Sequence, residues 1–357
     1  MFYLYLLNKA RRIMFNKDNV SRRKFLKKSG AGASLVGLGL TASGIFSQKV
    51  QMGSSSFPME KISPRDVWVM SMVLTGLKEE KDIVAAMIDR IMIMSSYKPD
   101  IICILEVFTL TSAKEAETVP GPITDRLASI AKEMECYIIC PLHTRREGKV
   151  YNSAVLIDRK GKIAGQYDKI HPVSSESEGG VTPGNSPPPV FKTDFGTIGI
   201  QICFDINWVE EWKSLKEQGA EIVFWPSAYP AGRMLPSYAW LFKYYVVGCS
   251  WRDPSTIYDI TGDLIASSGR FEHWAFARLN LEKAFLEIHD YEEKLNAIKK
   301  KYGRKVLIRY FHDEDWVTIE SRSPDLRISE VLNEYELVPH WDYIKIEEKE
   351  QERYRGK

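Results

Sequence analysis

The chain has few cysteines, and its basic and acidic residues are nearly equal in number. Each of these features argues against particular classes of protein. Its five cysteines form no CxxC pair, which argues against a disulfide scaffold or a cysteine-rich zinc site. It carries 49 basic and 47 acidic residues, a net charge of +2, and so offers no electrostatic basis for binding nucleic acid. After residue 50 no apolar run is long enough to predict a membrane span.

The composition is that of a folded protein. Of the 357 residues, 44% are hydrophobic and 27% are charged, and the chain contains 9 Trp, 17 Tyr and 15 Phe. This is enough apolar material for a large core, and it excludes a chain that is disordered throughout. The length suits two domains, or one α/β domain with an appendage.

Residues 1–47 have the layout of an export signal. Arg22, Arg23 and the nearby lysines precede residues 29–44, which are uncharged and rich in Gly, Ala, Ser, Leu and Val. The pattern resembles a twin-arginine signal, which implies export of the folded protein by the twin-arginine translocation machinery to a periplasmic or other extracytoplasmic location. The alternative is a membrane anchor, but a span needs about 20 apolar residues.

Two details of this segment stay open. A conventional signal would begin at Met14 rather than Met1, and cleavage could follow Gly44 or Ser47. Residues 48–63 are predicted to form a linker, because Gln, Ser, Gly, Pro and Met dominate them. We assign residues 64–287 to the main domain and residues 288–357 to a C-terminal extension.

The main domain alternates predicted strands and helices. Apolar runs at 67–73, 101–105, 137–142, 197–203 and 222–225 predict strands, and helical spacing marks 79–94, 122–135 and 208–218. Residues 153–157 and 163–167 flank a turn and predict a hairpin. Strands interleaved with helices indicate a layered α/β fold with mixed sheets.

Three chemically capable residues lie at predicted strand ends. Cys203 closes the run 197–203 just before a helix, whose N-terminus would favour a thiolate. Glu106 and Lys169 also follow strands, and a thiol nucleophile needs both a base and a cation for the oxyanion. The other cysteines lie in apolar stretches, and we interpret them as buried hydrophobic residues: Cys103, Cys136, Cys140 and Cys249.

These segments resemble motifs of the nitrilase superfamily of carbon–nitrogen hydrolases. Residues 196–205 (GTIGIQICFD), followed by 219–227, resemble the cysteine motif of that family. Residues 167–171 with 182–184 resemble its lysine motif, and residues 99–106 resemble its glutamate motif. The order is also similar, with 63 residues from Glu106 to Lys169 and 34 from there to Cys203.

The resemblance implies a fold and a mechanism. The fold would be a four-layer αββα sandwich, and the protein would form homodimers or larger homo-oligomers. Cys203 would be the nucleophile, Glu106 the base, and Lys169 with the Phe204 N–H would hold the oxyanion. This chemistry needs neither a metal nor a cofactor. A second glutamate is expected to orient the lysine; Glu178 is our prediction and Glu176 the alternative.

The chain departs from the family pattern in two places. The glutamate motif ends in LEVFT rather than the commoner Pro-Glu-Leu, and residues 240–247 replace the usual Arg-Ala-x-Glu-Asn segment. The pocket rim and the subunit contacts of the family therefore do not transfer to this chain. His143 and His171 are interpreted as structural or rim residues, because nothing in the sequence pairs them with the cysteine.

The Cys-Phe-Asp triplet resembles the amidase and carbamoylase branches, since Trp-Glu usually follows the cysteine of true nitrilases. Hydrolysis of a small amide or N-carbamoyl compound is thus the main hypothesis, with nitrile hydrolysis as an alternative. An acyltransferase with an amine acceptor and a catalytically silent binding protein are alternatives from other classes. The charged, aromatic-bearing extension is expected to wrap the body or a partner subunit and to help build the oligomer.

The signal hypothesis predicts a change in localisation. Replacing both arginines (Arg22→Lys with Arg23→Lys) should retain the protein in the cytosol, because the translocation receptor reads the arginine pair. Cell fractionation of the native chain and the double variant would measure this. Equal amounts of both in the cytosol would contradict the prediction.

Overall fold

The alternating pattern folds into three β-sheets and their covering helices in the computed structural model, which describes residues 61–288 and 291–356. The predicted export signal and residues 48–60 of the predicted linker lie outside the described residues. The strands are β1 (Asp66–Met72), β2 (Ile101–Cys103), β3 (Tyr137–Arg146), β4 (Lys149–Ile157), β5 (Ile163–Asp168), β6 (Val190–Lys192), β7 (Thr197–Ile200), β8 (Ile222–Ser227), β9 (Tyr245–Ser250), β10 (Thr256–Tyr258), β11 (Leu264–Ser267), β12 (Trp274–Asn280), β13 (Lys283–Glu287), β14 (Val306–Phe311) and β15 (Trp316–Ser321).

The α-helices of the described residues connect these strands or follow them. They are α1 (Ile83–Ile93), α2 (Pro122–Met134), α3 (Ser174–Glu178), α4 (Val209–Glu217), α5 (Met234–Phe242), α6 (Glu292–Tyr302), α7 (Ile328–Glu334) and α8 (His340–Tyr354). The helix predicted at 79–94 begins only at Ile83, because the Asp82 carboxylate caps it by accepting a hydrogen bond from the Ala85 N–H.

The first sheet has six strands in the order β12-β1-β2-β3-β4-β5. The pairs β1–β2 and β2–β3 are parallel, and the other pairs are antiparallel. Helices α1 and α2 bury Met87, Ile91, Leu127 and Ala131 in the hydrophobic cluster of this sheet. The predicted hairpin is present as β4 and β5.

The second sheet also has six strands, in the order β11-β10-β9-β8-β7-β6, with β7, β8 and β9 parallel. Strand β8 is buried on both faces, as parallel strands covered on each side are. Its Ile222 and Phe224 join the cluster of the first sheet, whereas Val223 and Trp225 pack with helices α4 and α5. This alternation makes the molecule a four-layer αββα sandwich and confirms the predicted fold class.

Helix α4 lies close against the second sheet because β7 contains a glycine. A Cβ at Gly199 would come within 2.8 Å of Leu215 Cδ1 on the helix. The helix in turn buries Trp212 and Leu215 completely. This close packing fixes the segment that follows Cys203.

The C-terminal segment forms a third, antiparallel sheet in the order β13-β15-β14. Strand β13 lies before residue 288 and pairs with β15, so this sheet joins residues on both sides of the predicted domain boundary. Helices α6 and α7 cover it and share its separate hydrophobic cluster, which includes Leu286, Leu295 and Val331. None of the helices within residues 61–288 and 291–356 combines the length and apolar character that a membrane crossing requires.

The third cluster predicts a stability difference between two leucines. Leu295→Ala should lower the free energy of unfolding by about 2–5 kcal/mol, because Leu295 is fully buried and its removal leaves a cavity. Leu307→Ala is the control, since Leu307 is 36% exposed in the same sheet. Denaturant titration measures both; equal losses would show that the cluster is not a cohesive core.

Candidate functional site

Three strand ends bring the sequence-predicted residues to one place. Glu106 lies three residues beyond β2, Lys169 directly follows β5, and Cys203 lies three residues beyond β7. Their exposed fractions are 5%, 2% and 9%, so all three are buried. The ends of strands from both large sheets thus meet at one cavity.

The Lys169 ammonium lies between two carboxylates. Its Nζ is 2.9 Å from Glu106 Oε1 and 2.7 Å from Glu176 Oε2. Asn152 braces the same pair, because its Nδ2 donates to Glu106 Oε1 at 2.9 Å and to Glu176 Oε1 at 2.8 Å. Burial lowers the pKa of Lys169, but the carboxylates of Glu106 and Glu176 outweigh this effect and raise that pKa. Lys169 is therefore a firmly protonated cation.

The structure places Glu176, the alternative, against Lys169 instead of the predicted Glu178. Glu178 is exposed at the end of α3, whereas Glu176 faces the lysine and also accepts a hydrogen bond from the Val173 N–H at 2.8 Å. Two residues along an α-helix are about 200° apart around its axis, so both carboxylates cannot face the same group. Although burial raises the pKa of Glu176, Lys169 and Asn152 lower it overall.

Cys203 does not end a strand, contrary to the sequence prediction. The ladder stops at Ile200, and Cys203 opens a short 3₁₀ turn, Cys203–Asn207, with φ of +48°. Non-glycine residues rarely adopt this left-handed conformation, and strained backbone of this kind is concentrated at functional sites. The Trp225 Nε1–H donates to the Cys203 carbonyl at 3.0 Å and holds the turn.

Burial at Cys203 opposes the thiolate that the helix N-terminus was expected to favour. Burial and the Glu106 carboxylate raise the pKa of this thiol to about 12, although Lys169, the Ser227 hydroxyl and the Ala228 N–H act in the opposite direction. Helix α4 begins only at Val209, six residues later, and its N-terminus does not overcome this burial. A reaction at this sulfur therefore requires a base to remove the proton.

Asp205 ties the cysteine turn to the lysine segment. Its Oδ2 accepts from the Tyr167 hydroxyl at 2.6 Å and from the Ile202 N–H at 2.9 Å, and its Oδ1 accepts from the His171 N–H at 2.8 Å. Burial raises the pKa of Asp205 to about 6 against these hydrogen bonds. The two segments are thus connected through one buried side chain.

The cavity has a volume of about 310 Å³ and mixed walls. The Trp251 Nε1–H donates to the Glu106 carbonyl at 2.5 Å and fixes one wall. The complete lining comprises Glu106, Val107, Leu110, Thr111, His143, Asn152, Lys169, Val173, Glu176, Cys203, Ala228 and Trp251. Such a space suits a small molecule with a polar group at one end.

The two histidines take different positions. His143 lines the cavity, with Nδ1 3.1 Å from the Thr111 carbonyl, and burial lowers its pKa. His171 stacks on Trp208 with ring centroids 3.7 Å apart, and its Nε2 lies 3.7 Å from Glu211. No group of three or more His, Cys, Asp or Glu in the described part of the chain is arranged to hold a metal ion.

Sequence reasoning missed Asn152 and Trp251. Asn152 carries a signal, because it is a polar residue at the head of a buried apolar strand segment. Trp251 follows the apolar strand β9 and had no such signal. Phe204 sits beside Cys203 in the same turn with 37% of its surface exposed. The remaining cysteines are all buried and do not line the cavity.

Comparison with known proteins gives one consistent family. The model of the carbon-nitrogen hydrolase family matches residues 77–284. The chain is 28% identical over 162 residues to deaminated glutathione amidase of Synechocystis sp., covering 38% of this chain and 60% of that protein. It is 34% identical over 144 residues to beta-ureidopropionase of Arabidopsis thaliana, and the match covers 36% of this chain and 35% of that protein.

Solved structures share the fold. Saccharomyces cerevisiae Nit3, a member of the nitrilase superfamily, superposes with a TM-score of 0.54 at 19% identity, covering 68% of this chain and 97% of its own. An amidase from Nesterenkonia sp. gives a TM-score of 0.54 at 18% identity, and the match covers 68% of this chain and 99% of the amidase chain.

Proposed function

Because the chain belongs to the carbon-nitrogen hydrolase family, we propose that it hydrolyses a C–N bond of a small amide or N-carbamoyl compound, with Cys203 as the nucleophile. One observation carries the proposal: a buried neutral thiol lines the same cavity as a lysine clamped between two carboxylates. The matched relatives named as amidases and as beta-ureidopropionase support this class of substrate.

The first half of the reaction makes a thioester. Glu106 accepts the thiol proton while the Cys203 sulfur attacks the carbonyl carbon, because the raised pKa of the thiol leaves no standing thiolate. Lys169 and the Phe204 N–H stabilise the negative oxygen of the tetrahedral intermediate. Glu106 then passes the proton to the departing amine or ammonia as the C–N bond breaks.

The second half restores the enzyme. Glu106 accepts a proton from water, whose oxygen attacks the thioester carbonyl carbon. The C–S bond breaks, the sulfur regains a proton from Glu106, and the product leaves as a carboxylic or carbamic acid. Glu176 is a positioning residue in this scheme, because it holds Lys169 at 2.7 Å without needing to touch the substrate.

The cavity favours a small acyl group with apolar character. Val107, Leu110, Val173 and Trp251 supply apolar surface beside the charged groups. A volume of about 310 Å³ suits a substrate of a few carbons rather than a folded peptide. We further propose that the protein works outside the cytoplasm after twin-arginine export, and as a homodimer or larger homo-oligomer.

The proposal predicts that Cys203→Ala abolishes turnover. The variant should fold normally but lose several orders of magnitude in rate, because no other group forms the acyl-enzyme. Ammonia release from a panel of small amides measures this, and mass spectrometry of the trapped wild-type adduct identifies the acyl group. Cys136→Ala is the control, since that thiol is fully buried and lies away from the cavity. Near-native turnover by Cys203→Ala would overturn the proposal.

Variants of Lys169 and Glu106 should each lose part of the reaction rate, and these losses should not be additive. Lys169→Ala should cost about 10²–10³ in rate by removing an oxyanion donor. Glu106→Gln should cost about 10²–10⁴ by removing proton transfer. A triple variant should resemble the worst single one, because the three groups act as a unit; fully multiplicative losses would argue against a shared mechanism.

Glu176 and Glu178 form a matched pair for the positioning role. Glu176→Gln should lower kcat/KM by about tenfold to a hundredfold through misplacement of Lys169, whereas Glu178→Gln should leave it unchanged. The pKa of Lys169 should also fall when one of its carboxylates is lost, so the alkaline limb of the pH–rate profile should move to lower pH. A larger effect from Glu178→Gln would restore the original prediction.

A further inference from the structure

A second cavity lies where the large sheets adjoin the C-terminal segment. Its volume is about 290 Å³, and none of its lining residues lines the catalytic cavity. The residues around it are Arg65, Lys216, Lys243, Ile260, Leu281, Glu282, Lys283, Ala284, Phe285, Arg327, Ile328, Ser329, Leu332, Pro339 and Trp341. Basic side chains outnumber acidic ones in this lining by five to one.

Lys243 is a buried lysine without a carboxylate partner. It is 8% exposed, and its Nζ lies 4.0, 3.9 and 4.3 Å from the ring centroids of Trp240, Phe285 and Trp316. The rings attract the ammonium, but they carry no net charge to neutralise it. Across residues 61–288 and 291–356, no carboxylate forms an ion pair with it.

Lys216 is the second lysine of this cavity that forms no ion pair among the described residues, although the Asp342 and Glu221 carboxylates raise its pKa against the effect of burial. Its Nζ donates to the Lys243 carbonyl at 3.1 Å, and it too forms no ion pair in the described part of the chain. The remaining basic residues of the cavity differ, because each has an acidic partner. These pairs are Arg65 with Glu221, Lys283 with Asp259, and Arg327 with Glu282.

The same cavity contains an unused hydrogen-bond donor. The Nε1 of Trp341 is buried and has no hydrogen-bond partner among the described residues. Buried polar groups are usually satisfied, so an orphaned N–H in a cavity also lined by two lysines without ion pairs is consistent with a missing acceptor. Ile260, Leu281, Phe285 and Leu332 complete the walls with apolar surface.

We propose that this cavity binds a small carboxylate with a short apolar chain, held by Lys216, Lys243 and the Trp341 N–H. The negative charge would offset the two ammonium groups, and the apolar walls would cover the chain. Inorganic anions fit less well, because they would leave that apolar surface uncovered. The site is separate from the catalytic cavity, and the proposal does not depend on the reaction assigned there.

Proton uptake should accompany this binding. Burial lowers the pKa of Lys243 to about 7, helped by Lys216, and burial lowers the pKa of Lys216 to about 8. A bound carboxylate favours both protonated forms, so affinity should fall as the pH rises through this range. The other charged or titratable groups around the pair are Arg65, Glu221, Glu282, Lys283, Arg327, His340, Asp342 and Lys345.

Isothermal titration calorimetry of the full chain with sodium butyrate tests the proposal. Butyrate should bind at pH 6.5 with at least tenfold higher affinity than at pH 9, with proton uptake measured by comparing two buffers of different ionisation enthalpy. Butylammonium chloride should not bind. Lys243→Met should lower butyrate affinity at least tenfold, because methionine keeps the apolar stem against the rings and removes only the charge.

Two further variants keep the test decisive. Lys216→Met should also weaken butyrate binding. It replaces Lys243→Met in the test if that variant does not unfold cooperatively on heating. Lys213→Met is the matched control on the same helix, since its side chain is 48% exposed and does not line this cavity. Unchanged butyrate affinity in both cavity variants would overturn the proposal, and this is also the result expected if butyrate binds only in the catalytic cavity. Butyrate affinity that does not depend on pH would overturn it as well.

Discussion

The ion pairs of Lys169 with Glu106 and Glu176 are the interaction on which the site depends. The three residues come from different parts of the fold, and two carboxylates this close together would repel each other without a cation between them. Asn152 donates to both and so fixes the spacing that the lysine requires. Breaking a buried pair of this kind leaves an uncompensated charge, which is costly. The lysine therefore organises the site as well as carrying charge.

Much of the layered fold could be predicted from the sequence, because its central strands are short apolar runs that are followed by turn-forming or charged residues. Strand β8 and the hairpin β4–β5 are examples, and the strand-end positions of Glu106 and Lys169 followed from the same pattern. The choice between Glu176 and Glu178 could not be made this way. Both lie in one short polar stretch, and only the helix register separates the inward from the outward carboxylate.

Burial explains the other differences. The apolar run to Ile202 suggests a strand up to Cys203, but the chain turns after Ile200 and the sulfur becomes enclosed. Local sequence indicates the nearby helix and its dipole, yet the thiol pKa is raised by burial and by the Glu106 carboxylate, which is distant in sequence. In the same way, the third sheet begins with β13, whose partner β15 lies some thirty residues further on, beyond the reach of local patterns.

The left-handed backbone at Cys203 lowers the stability of the fold at the same residue that supplies the reactive sulfur. Glycine is the residue that adopts a φ of +48° without steric cost, so the turn would be relieved by the replacement that removes the sulfur. The side chain of Cys203 is held in an unfavourable backbone conformation at a cost in stability, and the hydrogen bonds of Asp205 and Trp225 to this turn offset part of that cost.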